Sequence, residues 1–309
     1  TLTLFLDKML ASGVTDMLMT ISTGDPAVLK EGLAFVRQAM ALQQNGQLSG
    51  TRIQGVHLEG PFLNRARPGA MTVERILDPG IALFEHLFGD DIDIIKEVTL
   101  APEVPEAHEL ATHLLRNGIH VQAGHTDASF EEAQNAFGKG FNSICHTFNA
   151  SRGIHHREPG ILTAALLDPS VYCEAICDFL HLHPAIIRLI YAIKGPGRMM
   201  IVSDSTMPTG MPDGTYQAAN HPVIVKDGIK RTPAGALSGG ICYLDQAVRN
   251  LVSIGIPAED AFRMASTTPA ERMRFNQFGA VRIGMMAHLA AYTNSLAPDF
   301  AIVEQSVIS

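Results

Sequence analysis

Apolar residues along this chain occur in two textures. Short, nearly continuous runs end in a polar or ionisable residue, and each is followed by a stretch where apolar positions recur three and four apart. Seven such runs stand out, at residues 17–20, 53–59, 98–101, 119–125, 143–146, 174–178 and 200–204. Runs this short and this apolar fit strands covered on both faces. Between them, Ala107, Leu110, Ala111, Leu114 and Leu115 fall on one helical face, as do Phe130, Ala133 and Phe137, and again Leu244, Ala247, Val248 and Leu251. Asp127 stands where it would cap the second of these helices. Strand alternating with helix predicts an α/β fold with a parallel sheet wrapped by helices. Seven units are one short of a closed eight-stranded barrel, so the expectation is a TIM-like barrel whose first strand would lie ahead of Thr1. After about Arg274 the texture changes, and residues 278–284 and 301–303 read as short β pieces of a small appended sheet. The division this predicts is a barrel over 1–274 and a partial β-sandwich over 275–309.

Composition narrows the class. With 46% hydrophobic and 17% charged residues there is ample apolar material for one large core, and a disordered chain is excluded. Lys and Arg number 23 against 31 Asp and Glu, a net charge of −8, which argues against nucleic acid or an anionic membrane as partner. No apolar run approaches the roughly 18 residues of a membrane span. Four cysteines, Cys145, Cys173, Cys177 and Cys242, make no disulfide framework in 309 residues, which predicts a reducing, cytoplasmic setting. The first residues lack a basic segment and an initiating Met, and read as a processed or partial chain, not as a signal peptide.

The chemistry is concentrated at the ends of the predicted strands. Glu59, His125, His146 and Asp204 each close one. In a barrel of parallel strands these ends converge on one mouth, where active sites lie. Two imidazoles and a carboxylate form a three-ligand set that leaves a position open on a zinc-like ion. Asp204 would then be available as general base and afterwards as general acid. Each residue alone has a plainer reading: a hydrogen-bonded strand-end His, a Glu opening the Gly60-Pro61 turn, an Asp capping the next segment. Their joint placement on successive strands favours the metal site.

At these same residues the chain resembles the N-acetylglucosamine-6-phosphate deacetylase family of the amidohydrolase superfamily. Gly55-Val56-His57-Leu58-Glu59-Gly60-Pro61-Phe62 carries the resemblance first, followed in order by Ala123-Gly124-His125-Thr126, His146-Thr147-Phe148-Asn149-Ala150, Arg157-Glu158-Pro159-Gly160, Cys177-Asp178-Phe179-Leu180-His181, Ser203-Asp204-Ser205 and Leu237-Ser238-Gly239. The resemblance spans nearly the whole chain. It implies a metal-dependent barrel with a small accessory β-sandwich, hydrolysing the acetamide of an amino-sugar 6-phosphate. It implies one divalent metal ion, zinc first, with iron or another divalent ion as alternatives, held by Glu59, His125 and His146. Asp204 would be the proton shuttle. Ala70, Asn149, Ala150, Arg157, Asp178, Phe179, Leu180, His181, Leu237, Ser238 and Gly239 would line the substrate site, in a homodimer where Arg157 reaches the neighbouring subunit's phosphate.

The chain also departs from that pattern. The His-x-His of the family's first strand is missing, so a single metal is the reading. Gly69-Ala70-Met71 stands where the family has a Gly-x-His whose imidazole helps polarise the acetyl carbonyl, and a thioether donates no hydrogen bond. Ser205, Ser151 and His288 are milder replacements. Three alternatives stay open at this point: the same reaction on the galactosamine epimer, another amidohydrolase of this barrel type acting on a different amide, and a weakened paralogue that binds sugar phosphates.

Overall fold

The computed structural model describes residues 2–218, 222–303 and 306–308. Each of the seven apolar runs contains or overlaps a strand: β1 Asp16–Ser22, β2 Arg52–Glu59, β3 Ile95–Leu100, β4 His120–Ala123, β5 Ser143–Ile144, β6 Tyr172–Ile176 and β7 Met199–Val202. They pair in sequence order, all parallel, as one seven-stranded sheet. The ladder brings strand ends to one level: Glu59 pairs with Thr99, Leu100 with Ala123, Ala123 with Ile144, and Ile176 with Val202. The sheet is curled as a TIM-like barrel, with β1 and β7 as its two outer strands among the described residues.

The helices are α1 Leu2–Ala11, α2 Pro26–Gln44, α3 Ile81–Phe88, α4 Ala107–Arg116, α5 Phe130–Gly138, α6 Gly160–Leu167, α7 Pro184–Lys194, α8 Leu244–Ser253, α9 Ala258–Ala265 and α10 Thr267–Arg272. Their apolar stripes face the sheet as the spacing predicts. Ala107, Leu110, Ala111 and Leu114 of α4 are buried, as are Ala133 and Phe137 of α5 and Ala247, Val248 and Leu251 of α8. One correction concerns the start of α5. Its N-cap is Ser129, whose hydroxyl accepts from the Glu132 N–H while the Glu132 carboxylate accepts from the Ser129 N–H. That reciprocal pair satisfies two orphan donors. Asp127 is engaged instead by Arg67 and Arg152.

Two small antiparallel sheets accompany the barrel. One, β8 Gly214–Gln217, β9 Pro222–Lys226 and β10 Ile229–Arg231, is inserted between β7 and α8, where the sequence pattern shows only a turn. The other, β11 Leu289–Tyr292, β12 Pro298–Val303 and β13 Ser306–Ile308, contains the expected β piece at 301–303. Residues 278–284 form turns and not a strand. Gly279 lies against Ala270, its φ of 96° and close packing on α10 bending the chain away from any ladder. His288 Nδ1 is 2.9 Å from the Asp16 carboxylate, which ties this C-terminal segment to β1.

Candidate active site

Three donor atoms meet at the mouth of the barrel. Glu59 Oε1 is 3.2 Å from His125 Nε2 and 3.0 Å from His146 Nε2, and the two ring nitrogens are 3.1 Å apart. Ligands on a tetrahedral ion at zinc-like bond lengths of about 2.0–2.1 Å stand about 3.3 Å from each other, so this triangle is the right size for one small cation. All three residues are buried.

The backbone aims them. Glu59 ends β2, while His125, His146 and Asp204 each lie two residues past a strand and have φ of 47°, 25° and 47°. A left-handed turn at a non-glycine residue is strained and gathers at functional sites. Here it swings each side chain off its strand and over the barrel axis. Gly124 permits the turn at His125, since a Cβ there would lie 2.6 Å from Thr99 and 2.8 Å from Cys145.

The rings are also oriented. His125 Nδ1 donates to the carbonyl of Arg67 at 3.0 Å, which leaves the Nε2 lone pair directed at the site. Arg67 is held in turn by Asp127, which also binds Arg152. Burial alone would push the Glu59 carboxyl up, but His125 and His146 outweigh it and hold the group well below the usual range. Burial likewise opposes charge on His146, yet Glu59, with Asp204 and Glu174, brings the ring up to about 9. A buried carboxylate this anionic, with two ring nitrogens about 3 Å away, makes a cation site by its chemistry. Cys145 Sγ is 3.9 Å from Glu59 Oε1 and forms a geometrically possible ligand group with Glu59 and His146. Its thiol is pushed well above its ordinary value by burial and nearby carboxylates, so His125 is the better third donor.

Asp204 faces the same cavity. Burial first, then the Glu59 charge, raises its carboxyl, against His146, His181 and Lys230. The cavity, about 1750 Å³, runs from the mouth into the seam between β1 and β7. Glu59, His125, His146, Asp204, Ala70, Asn149, Ala150, His181, Leu237, Ser238 and Gly239 all line it, as does Met71. The other expected substrate residues sit elsewhere. Asp178 is turned away from the cavity and accepts from the His181 ring at 2.7 Å and from the backbone N–H groups of Leu180, His181 and Ile241. Phe179, at φ 63°, makes the turn that wraps this carboxylate. Arg157 is exposed and lies against His156, outside its own chain's cavity. Sequence reasoning missed Arg67, whose contribution is a backbone carbonyl and leaves no side-chain signature, and it missed Lys230, whose short polar strand gives no sign of burial.

A profile of the amidohydrolase family matches residues 1–308. The chain is 34% identical over 292 residues to N-acetylglucosamine-6-phosphate deacetylase of Vibrio furnissii, covering 94% of this chain and 71% of that protein. It is 32% identical over 265 residues to N-acetylgalactosamine-6-phosphate deacetylase of Escherichia coli O157:H7, covering 85% and 70%. Among solved structures, N-acetylglucosamine-6-phosphate deacetylase of Thermotoga maritima superposes with a TM-score of 0.90 at 30% identity, over 98% of this chain and 81% of that one. The Mycobacterium smegmatis enzyme, as a point mutant in complex with N-acetyl-D-glucosamine-6-phosphate, gives 0.88 at 29%, over 97% and 78%.

Proposed function

The chain belongs to the amidohydrolase family, and from that premise we propose that it hydrolyses N-acetyl-D-glucosamine 6-phosphate to D-glucosamine 6-phosphate and acetate. The observation that carries this reading is the triangle of Glu59, His125 and His146 with Asp204 in the same cavity. The names of relatives at 30–34% identity support the substrate class.

Glu59, His125 and His146 would hold one divalent cation, zinc by the fit of two imidazoles and a carboxylate. Such an ion supplies Lewis acidity toward water and toward the acetyl carbonyl. Asp204 takes a proton from the attacking water on its carboxylate oxygen and passes it to the amide nitrogen, so that the C–N bond breaks to a neutral amine and acetic acid, which then ionises to acetate. Asn149 and Ala150 follow β5; the Asn149 N–H donates to the His146 carbonyl at 2.9 Å, which leaves the N–H of Ala150, at φ 45°, as the backbone group of this turn offered to a phosphate. His181, fixed by Asp178 through Nδ1, directs Nε2 into the cavity toward the sugar. The exposed guanidinium of Arg157 serves the neighbouring subunit of a homodimer, a role supported by its position outside its own cavity. The cytoplasm is the proposed compartment, a reading supported by four cysteines that are all free thiols.

The galactosamine epimer is the second reading, supported by the Escherichia coli relative at 32% identity. Met71 favours a third, a weakened paralogue that only binds. Acetate release measured on both hexosamine 6-phosphates, with wild type and Asp204→Asn, separates the three. Wild-type turnover on the gluco substrate with loss of nearly all turnover in the variant, at unchanged metal content, is the expected result. Undiminished turnover in Asp204→Asn removes the shuttle role, and tight binding with no acetate from either epimer removes the enzyme.

A further inference from the structure

A buried lysine lies beneath the turn that carries Asp204. Lys230 belongs to β10, is 1% exposed, and forms no ion pair with a carboxylate among the described residues. Its Nζ donates to Thr206 Oγ1 at 2.8 Å and to Thr209 Oγ1 at 2.5 Å. Both hydroxyls, accepting from the ammonium, donate onward: Thr206 to the Ser238 carbonyl and Thr209 to the Gly240 carbonyl, each at 3.4 Å. The Lys230 carbonyl accepts from the Ser238 N–H at 3.0 Å, and the Asp204 carbonyl accepts from the Gly240 N–H at 2.8 Å. One ammonium thus joins three pieces: the small sheet, the turn after β7, and the segment 237–240 that lines the cavity. Burying a cation without a paired carboxylate is costly. Burial brings the Lys230 ammonium down to about 8, against the pull of Asp204 and Asp178. A neutral side chain would fill the same space without that cost.

We infer that Lys230 is a positioning residue for the proton-transfer step, clamping the turn after β7 so that the Asp204 carboxylate stays over the metal triangle. The inference rests on Asp204 as the proton shuttle. A displacement of about 1 Å in a catalytic group costs on the order of a hundredfold in rate, and a clamp of this kind prevents that drift. The clamp acts on the turn and not on the sugar or the phosphate, so it bears on turnover more than on affinity.

The test is Lys230→Met, which keeps the apolar stem and removes the charge and its donors. Turnover on N-acetylglucosamine 6-phosphate should fall about ten- to a hundredfold with KM within about threefold of wild type. Deuterium exchange at the amides of residues 204–209 should quicken about tenfold while β2 to β6 keep their protection. Thr206→Val, which removes one acceptor and keeps the lysine, should give a smaller loss in the same direction. Lys230→Met combined with Thr206→Val should be no worse than Lys230→Met alone, since both break one linkage. Unchanged exchange at 204–209, a loss carried wholly by KM, or fully additive effects would each overturn the proposal. Should the wild type release no acetate from either epimer, the deacetylase reading fails on its own, and the exchange and its additivity still decide whether the clamp exists.

Discussion

The interior of the barrel below the metal triangle holds charge where branched aliphatics are the norm, and that invites a quantitative test. Arg272 of α10 enters between the strands and places Nη2 2.5 Å from Glu97 of β3 and 2.6 Å from Ser143 Oγ of β5. The two charged side chains are 1% and 7% exposed. Across the interior stands Glu174 of β6, which burial and then the Glu97 charge push above the usual carboxyl range, and whose oxygen accepts from the His146 N–H at 3.3 Å. Arg272→Met keeps most of the volume but strands Glu97. Stranding one member of a buried pair costs about 3–5 kcal/mol. An independent bound agrees: Glu97 can escape by taking up a proton, and protonating an ordinary glutamate at pH 7 costs about 4 kcal/mol. An unfolding entropy of about 2.1 cal/mol/K per residue then translates the loss into a fall in Tm of about 6 °C. The escape route also gives a sign. The variant's Glu97 would bind its proton more tightly folded than unfolded, so the deficit should shrink by about 1.4 kcal/mol for each unit the pH drops toward 5. Thermal scans of wild type, Arg272→Met and Arg272→Met with Glu97→Gln, at pH 5, 6 and 7, provide the measurement. Adding Glu97→Gln should recover most of the loss and abolish its pH dependence. A single variant within about 1 kcal/mol of wild type (about 1.5 °C), or a double variant no better than the single, would show that the pair does not hold the floor of the site.

Three further outcomes can be checked. Gly240→Ala places a Cβ 2.0 Å from the Ser203 carbonyl, so it should displace the Asp204 turn and lower kcat about a hundredfold with a stability loss of about 1–3 kcal/mol, read by steady-state kinetics beside a thermal scan. Burial would raise the Asp178 carboxyl, but the His181 ring and the backbone donors bring it down to about 2; its contribution of about 2 kcal/mol is therefore full above pH 4 and lost as pH falls through about 2, and Asp178→Asn should flatten Tm against pH over that interval. Met71→His offers a donor at the cavity wall and should raise kcat about tenfold or more if carbonyl polarisation limits turnover, measured as acetate release; an unchanged rate shows that no donor is needed there.

What can be read from the sequence follows from strand burial. Glu59, His125, His146 and Asp204 are legible because each interrupts an apolar run at its C-terminal end, and parallel strands in sequence order leave those ends no place to go but one rim. The cap of α5 is easily misread because Asp127 and Ser129 are both good caps; only Glu132, three residues after Ser129, distinguishes them. The inserted sheet is illegible for a physical reason. Its strands have three to five residues, β8 is largely exposed, and their pairing depends on one another and not on an apolar face. Lys230 is hidden by the same insertion. Lysine in a short polar strand is ordinarily solvated, and its burial here is decided by two threonines more than twenty residues earlier in the chain.

That insertion bears on how the site keeps its geometry. The positions of Glu59, His125 and His146 are transmitted through the ladders β2–β3, which shifts register between Val56 and His57, β3–β4 and β4–β5. Asp204 differs: it follows β7, which among the described residues pairs with β6. Its second support comes from outside the barrel, through the Gly240 N–H on its carbonyl and the Lys230 ammonium under its turn. The metal triangle should therefore tolerate changes at that support, such as Thr209→Val, better than proton transfer does. A variant of that support that kept its metal and its sugar-phosphate affinity yet lost turnover would locate the loss at Asp204, the group of the four whose turn rests on the inserted sheet.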